Sequence, residues 1–197
     1  MTFRAHFEHR DQLLRAALEE FCEHGYEGAS VNRILAASAT SKGQLYHHFP
    51  GKEGLYLGLV EWMVDMKIAW FAAHPLPAVD DFFETLEAQM RASLDFAVVH
   101  PDVDRFGRAL LGERGRPIFA AVVARFGFDP SSTLGALVAH GYALGQLRDD
   151  LSLEFVQRAV LLVVNHAPDL LDLTQPADLS TKLAELLAFL REGLAPA

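Results

Sequence analysis

Within one stretch of six residues, Lys42, Gly43, Gln44, Tyr46 and His47 supply a cation, a bare backbone position, an amide, a phenol and an imidazole. At 100° per residue on a helix, Leu45 and Phe49 fall on one side, Gly43, Gln44 and His47 project from the other, and Tyr46 sits on the flank. Gln44 and His47 can hydrogen-bond base edges, while Tyr46 and the hydroxyls of Thr40 or Ser41 can reach phosphate oxygens. Gly43 lets a sugar-phosphate backbone come close. Lys42 stands at the helix N-terminus, where its charge adds to free N–H groups and the positive end of the helix dipole. Lys52 repeats that arrangement where the next helix opens. The chemistry is recognition of a duplex rather than catalysis.

The charge pattern agrees once it is read locally. The 197-residue chain carries a net charge of -9, which as a whole-chain sum is hostile to polyanions. Between Gly28 and Lys52, however, Arg33, Lys42 and Lys52 occur with no Asp or Glu at all. One segment is therefore locally positive on an acidic protein.

Apolar residues recur at steps of three and four nearly throughout, and no run alternates long enough for a half-buried strand, so the expected fold is all-α. A first helix over about 11–23 aligns Leu14, Ala17, Leu18 and Phe21, with Gly25 where a left-handed terminal residue is wanted. A short helix over about 30–37 takes Ser30 as its N-cap. A second short helix over about 41–48 follows, and Pro50-Gly51 stops it. Two short helices joined by so few residues must cross steeply, the geometry of a helix-turn-helix whose second helix can enter the major groove.

The stretch Ser41-Lys-Gly-Gln-Leu-Tyr-His-His-Phe-Pro-Gly-Lys-Glu-Gly-Leu55, preceded by Leu13-Leu-Arg-Ala-Ala-Leu-Glu-Glu-Phe21 and Gly25-Tyr26, closely resembles the DNA-binding domain of the TetR family of bacterial transcriptional regulators. The resemblance covers roughly residues 7–67, with the helix-turn-helix at 30–49. It implies a homodimer whose recognition helices enter successive major grooves of a palindromic operator, and a C-terminal helical domain, 68–197, that senses a small-molecule effector and dimerises. By the same resemblance Lys42, Gly43, Gln44, Tyr46 and His47 take the recognition-helix positions, Ser30 and Arg33 face the DNA backbone from the preceding helix, and Lys52 clamps a phosphate. The turn departs from the family's usual Gly-Val: it reads Ala39-Thr40, which places an Ala where a left-handed conformation costs roughly 1 kcal/mol relative to Gly. Thr40 puts a hydroxyl where a buried methyl is expected.

Beyond Lys52 the chain is more acidic and still helical. A linker helix over about 52–73 sets Trp62, Met66 and Trp70 on one stripe, and a helix over about 81–99 sets Phe83 and Met90 on another. With Phe106, these aromatic and thioether side chains suit an apolar or aromatic ligand, oriented by His140, Tyr142 and Asn165. The helix over about 153–166 contains Ala159-Val-Leu-Leu-Val-Val164, apolar on every side, and the last helix lines up leucines over about 178–194. Phe155, Val156, Val160 and Val164 of the first, with Leu183, Leu186, Leu187 and Leu190 of the second, are the expected dimer surface, four helices about a two-fold axis.

No apolar run approaches the ~18 residues that cross a bilayer, and the N-terminus lacks a secretory signal, so the expected location is the cytoplasm, with no membrane partner. The single cysteine, Cys22, reads as a core residue. No Gly-rich phosphate loop, nucleophile elbow or HExxH is present, and the histidines form no convincing metal site. No catalytic residue, cofactor or metal is expected. The alternative is a helical small-molecule-binding or catalytic protein that does not read DNA.

Overall fold

Gly25 ends the first helix as its position suggests. Helix α1 (Arg10–Gly28) is regular up to His24, and Gly25 then takes φ 64°, ψ 179°, a conformation nearly reserved for glycine, before a last short turn. The computed structural model describes residues 2–77, 80–127, 132–171 and 178–196, and the side chain of residue 168 is outside that set. All regular structure among the described residues is helical: α2 (Val31–Ser38), α3 (Lys42–His48), α4 (Gly51–Ala73), α5 (Phe82–Val99), α6 (Pro101–Gly112), α7 (Pro117–Phe126), α8 (Ser132–Ala143), α9 (Leu153–Leu170) and α10 (Leu179–Leu194).

Contacts group these helices into two compact units, Met1–Ala73 with His100–Phe128, and His74–Val99 with Asp129–Ala197. The expected functional line at 67/68 falls inside α4, so it is a different division from the one the contacts draw.

In the first unit α1 packs on α2, α4 and α6, and α4 on α7. Leu13, Ala17, Phe21, Ile34, Leu45, Phe49, Leu55 and Leu59 are buried there. Tyr56 of α4 joins this core edge-on to Phe21, Tyr26 and Phe106, at 4.9, 5.2 and 5.5 Å. Glu113, after α6, is 3% exposed, and its Oε1 accepts the Tyr26 N–H at 2.8 Å while Oε2 pairs with Arg116 at 2.8 Å. A Cβ on Gly25 would lie 3.0 Å from that same Oε1, so the glycine serves both the backbone turn and the close approach of the carboxylate.

The residues ahead of α1 are part of this unit too. Phe3 is fully buried against Phe49, ring centroids 4.6 Å apart. Arg4 makes a two-pronged pair with Asp65 of α4, both bonds 2.7 Å, and Arg10 Nε donates to the Phe3 carbonyl at 2.6 Å.

The second unit holds α5, α8, α9 and α10 around Phe82, Leu86, Met90, Val138, Val156, Val160, Leu183 and Leu190. α8 stops at Ala143, where the chain leads into Gly145, left-handed at φ 70°. Gln146 then closes the start of α5: its side-chain oxygen accepts the Phe82 N–H at 2.9 Å and its amide donates to the Asp80 carbonyl at 2.7 Å. Gly141 leaves room for the Phe82 ring, which would lie 2.8 Å from a Cβ there.

This packing corrects four of the eight residues expected at the dimer surface. Val156, Val160, Leu183 and Leu190 are 0–4% exposed in their own unit's core, and Val164, Leu186 and Leu187 pack against that core. Of the eight residues only Phe155 is exposed. On α9 and α10 the large apolar side chains that face outward are Phe155, Leu162, Leu170 and Phe189. A helix apolar on every side must bury the half that meets its neighbours, and here that half holds Val156 and Val160.

Candidate nucleic-acid interface

Helix α3 is short and depends on its ends. Ser41 takes an extended backbone, its Oγ accepts the Gln44 N–H at 3.1 Å, and the Gln44 side-chain oxygen accepts the Ser41 N–H at 2.9 Å. This reciprocal cap satisfies two donors at a helix start. Gln44 therefore spends its oxygen on the cap and keeps its amide N–H groups for an outside acceptor. Leu45 and Phe49 are fully buried and hold the inner side of α3. On the outer side Lys42, Gly43, Tyr46 and His47 are exposed, and Tyr46 shows 49% of its surface. Lys42 Nζ lies 5.8 Å from the Tyr46 ring centre, one turn along the same face. A Cβ on Gly43 would meet nothing closer than Ser41 Oγ at 3.9 Å, so the glycine answers no internal crowding.

The next residue, His48, is the inner counterpart of His47. It stacks on Phe7, centroids 4.0 Å and planes 19° apart, and its buried Nδ1 has no hydrogen-bond partner. Burial, then the charge of His47, pushes its pKa below the ordinary histidine value. The neutral ring acts as packing, and the segment ahead of α1 thus braces the end of α3. Sequence reasoning missed this brace, although Phe3 and Phe7, four residues apart in a polar terminus, are the signal that could have found it.

Three of the expected phosphate contacts have other occupations. Thr40 is 6% exposed and its hydroxyl donates to the Ser38 carbonyl at 3.3 Å, so it cannot reach a phosphate. That corrects its expected role: the turn buries it, in the place where a methyl is usual. Arg33 donates from Nε and Nη2 to the buried Glu20 carboxylate and from Nη2 to the Gly28 carbonyl. Lys52 Nζ donates to the Glu27 carbonyl at 2.9 Å, 4.8 Å from the Tyr26 ring centre. Ser30 caps α2, its Oγ facing the Arg33 N–H at 3.5 Å. The Arg33 guanidinium holds the Glu20 carboxyl below its ordinary pKa against the cost of burial, and the Ser30 N–H adds to the effect.

The turn itself carries the strain that its sequence implies. Ala39 sits at φ 51°, ψ 21°, left-handed and without the excuse of a missing Cβ. Ala39→Gly is expected to raise the unfolding free energy by about 1 kcal/mol, less what the freer unfolded glycine returns. The melting temperature then rises by about 2–4 °C in a thermal scan. A lower melting temperature would show that the turn is relaxed with alanine in place.

Of the residues expected to hold a ligand, Trp62, Met66, Trp70 and Phe106 belong to the first unit and Phe83, Met90, His140, Tyr142 and Asn165 to the second. Phe83, Met90 and Phe106 are buried as core. His140 is exposed, Asn165 is half-buried, and the Tyr142 hydroxyl donates to the Leu151 carbonyl at 2.9 Å. Trp62, Met66 and Trp70 are half-buried on one stripe of α4. Among the described residues no cluster of three or more His, Cys, Asp or Glu is placed to hold a metal ion, and no helix is long and apolar enough to cross a membrane. Cys22 is half-buried, and burial pushes its thiol up to about 11, the reverse of an activated nucleophile.

Residues 13–59 match the family model of bacterial regulatory proteins of the tetR family. Over 50 residues the chain is 48% identical to the HTH-type transcriptional repressor AcnR of Corynebacterium glutamicum, covering 25% of this chain and 27% of the relative. Over 89 residues it is 36% identical to the HTH-type transcriptional activator FasR of Mycolicibacterium smegmatis, covering 45% and 40%. The chain thus matches between about a quarter and two fifths of the length of these curated relatives. In three dimensions it is similar to a TetR family transcriptional regulator from Chloroflexus aurantiacus J-10-FL, with TM-score 0.78, 23% identity, and coverage of 98% of this chain and 96% of that one. The stretch matched in sequence is the one that builds the helices around α3: residues 13–59 carry the N-terminal domain of the tetR family of bacterial regulatory proteins.

Proposed function

We propose that the chain is a cytoplasmic, ligand-responsive transcriptional repressor that binds a palindromic DNA operator as a homodimer and is released by a small apolar or aromatic effector. The observation that carries this reading is the outer face of α3. Lys42, Gly43, Tyr46 and His47 are exposed together on a capped helix whose inner face is locked by Leu45 and Phe49. No internal contact asks for those residue types there, and a major groove does. The relatives named above are transcriptional regulators rather than enzymes, one a repressor and one an activator.

For the dimer, the support is the exposed apolar side of α9 and α10. Phe155, Leu162, Leu170 and Phe189 are 56–69% exposed, and the three on α9 recur at seven and eight residues, one stripe of a helix. For the effector, Trp62, Met66 and Trp70 offer an incompletely covered aromatic and thioether stripe on α4. That helix, of 23 residues, is about 34 Å long and begins directly after α3. A ligand that shifts α4 changes the separation of the two α3 helices. A dimer whose helices no longer match the ~34 Å repeat of successive grooves keeps one foothold and loses most of its avidity.

Selection of bound duplexes from a random pool by the purified protein tests this. The expected consensus is two inverted half-sites one helical turn or a small multiple apart. A protein that enriches no sequence, in low salt and freed of co-purified small molecules, would overturn the reading in favour of a helical binding protein that does not read DNA.

A further inference from the structure

Glu20 is a carboxylate only 8% exposed, on the buried side of α1 with Ala16, Ala17 and Phe21. Its Oε1 accepts the Ser30 N–H at 2.7 Å, Arg33 Nε at 2.9 Å and Arg33 Nη2 at 2.5 Å, and its Oε2 accepts Arg33 Nε at 3.1 Å. His24, one turn on, lies 3.8 Å from Oε2. Arg33 Nη2 also donates to the Gly28 carbonyl at 2.9 Å. A single carboxylate therefore ties α1 to both the cap residue and the first turn of α2, and the guanidinium closes the loop over the intervening 28–30 segment. The cap that Ser30 makes alone is weaker: its Oγ stands 3.5 Å from the Arg33 N–H, at the limit of a hydrogen bond.

An arginine on an acid-free stretch beside a reading helix is ordinarily a phosphate ligand. Here the guanidinium, on a side chain 53% exposed, already commits Nε and Nη2 to the buried carboxylate and the Gly28 carbonyl, and a phosphate that took those donors would leave the carboxylate buried without its partner. α2 in turn carries α3 through the Ala39-Thr40 turn, with Ile34 and Leu45 both buried. We propose that Arg33 and Glu20 are positioning residues of the nucleic-acid interface: together they set the junction from which α3 is presented, and Arg33 neutralises no phosphate. The inference rests on the DNA-reading function proposed above.

The test compares the intact protein with Arg33→Gln, Arg33→Lys and Glu20→Gln, binding a short duplex that carries the selected consensus, over a range of salt concentrations. Circular dichroism confirms that each is folded at the assay temperature. All three are expected to bind about tenfold more weakly, an effect typical of coupling between linked sites. The slope of log affinity against log salt stays unchanged. Arg33→Lys keeps the charge and loses only the fork, so it separates positioning from electrostatics.

Three results would overturn the inference while leaving DNA reading intact. One is a slope that falls by about 0.9 for each lost phosphate contact in Arg33→Gln but not in Arg33→Lys. Another is tighter binding by Glu20→Gln, as a freed guanidinium would give. The third is affinity unchanged in variants that melt earlier, which would leave the pair a purely structural role. Failure of the unsubstituted protein to bind any duplex overturns both readings together.

Discussion

Lys42→Ala and Tyr46→Ala are each expected to weaken binding of the selected duplex by about a hundredfold, with helix content and dimer mass unchanged. The magnitude follows from symmetry. In a two-fold complex each substitution removes two contacts, and at about 1–1.5 kcal/mol apiece the loss reaches about 3 kcal/mol. The fold is spared because both side chains point outward: Lys42 and Tyr46 are exposed, and their mutual contact at 5.8 Å is a weak surface cation–π pair. The two variants differ in their salt response. Lys42→Ala removes one neutralised phosphate per protomer, so the slope of log affinity against log salt falls by roughly two per dimer. Tyr46→Ala removes no formal charge, and its curve shifts without changing slope. Fluorescence anisotropy across a salt series reads both. Affinity within a factor of about two of the parent for both variants would mean that the outer face of α3 is not the reading face.

Local signals located seven of the ten helices among the described residues, because they act within a few residues of where they are written. Ser30 and Ser41 cap the helices they precede, Gly25 turns where a glycine is needed, and Ala39 takes the strained conformation its place in the turn implies. The outer face of α3 was legible for the same reason, since seven residues at 100° leave little choice once Leu45 and Phe49 are buried. What the sequence did not disclose depends on partners far along the chain. Arg33 meets Glu20 thirteen residues away and on another helix, a partner that no local signal announces. Phe3 and Phe7 find Phe49 and His48 across more than forty residues. Thr40 was ambiguous in itself: the position wants a buried group and the hydroxyl wants a partner, and the Ser38 carbonyl satisfies both.

The proposed dimer surface shows the same limit and supplies the second large effect. In Ala159-Val-Leu-Leu-Val-Val164 periodicity cannot choose a face, because every face is apolar. The packing of the second unit chooses: Val160 is 0% exposed and Leu162, two residues on, is 63% exposed. Aspartate at the two positions should therefore behave oppositely. Val160→Asp buries a carboxylate among Phe82, Leu86, Val138 and Leu183 with nothing to pair it, at a cost of about 4–5 kcal/mol or more. Set against a typical total stability of about 5–15 kcal/mol, that leaves the second unit marginal or unfolded, and the chain is expected to lose helix signal and aggregate.

Leu162→Asp changes a side chain that its own unit hardly touches, so the protomer should keep its stability within about 0.5 kcal/mol. Across a two-fold axis, however, it sets two carboxylates against the partner's apolar stripe, and the expected product is a folded monomer. Light scattering and circular dichroism on the pair of variants separate the outcomes. A Leu162→Asp protein of full dimer mass would move the pairing surface off the exposed side of α9. A folded monomer, by contrast, carries a single α3, and its affinity for the two-half-site duplex should drop to that for one half-site, because the second contact is no longer intramolecular.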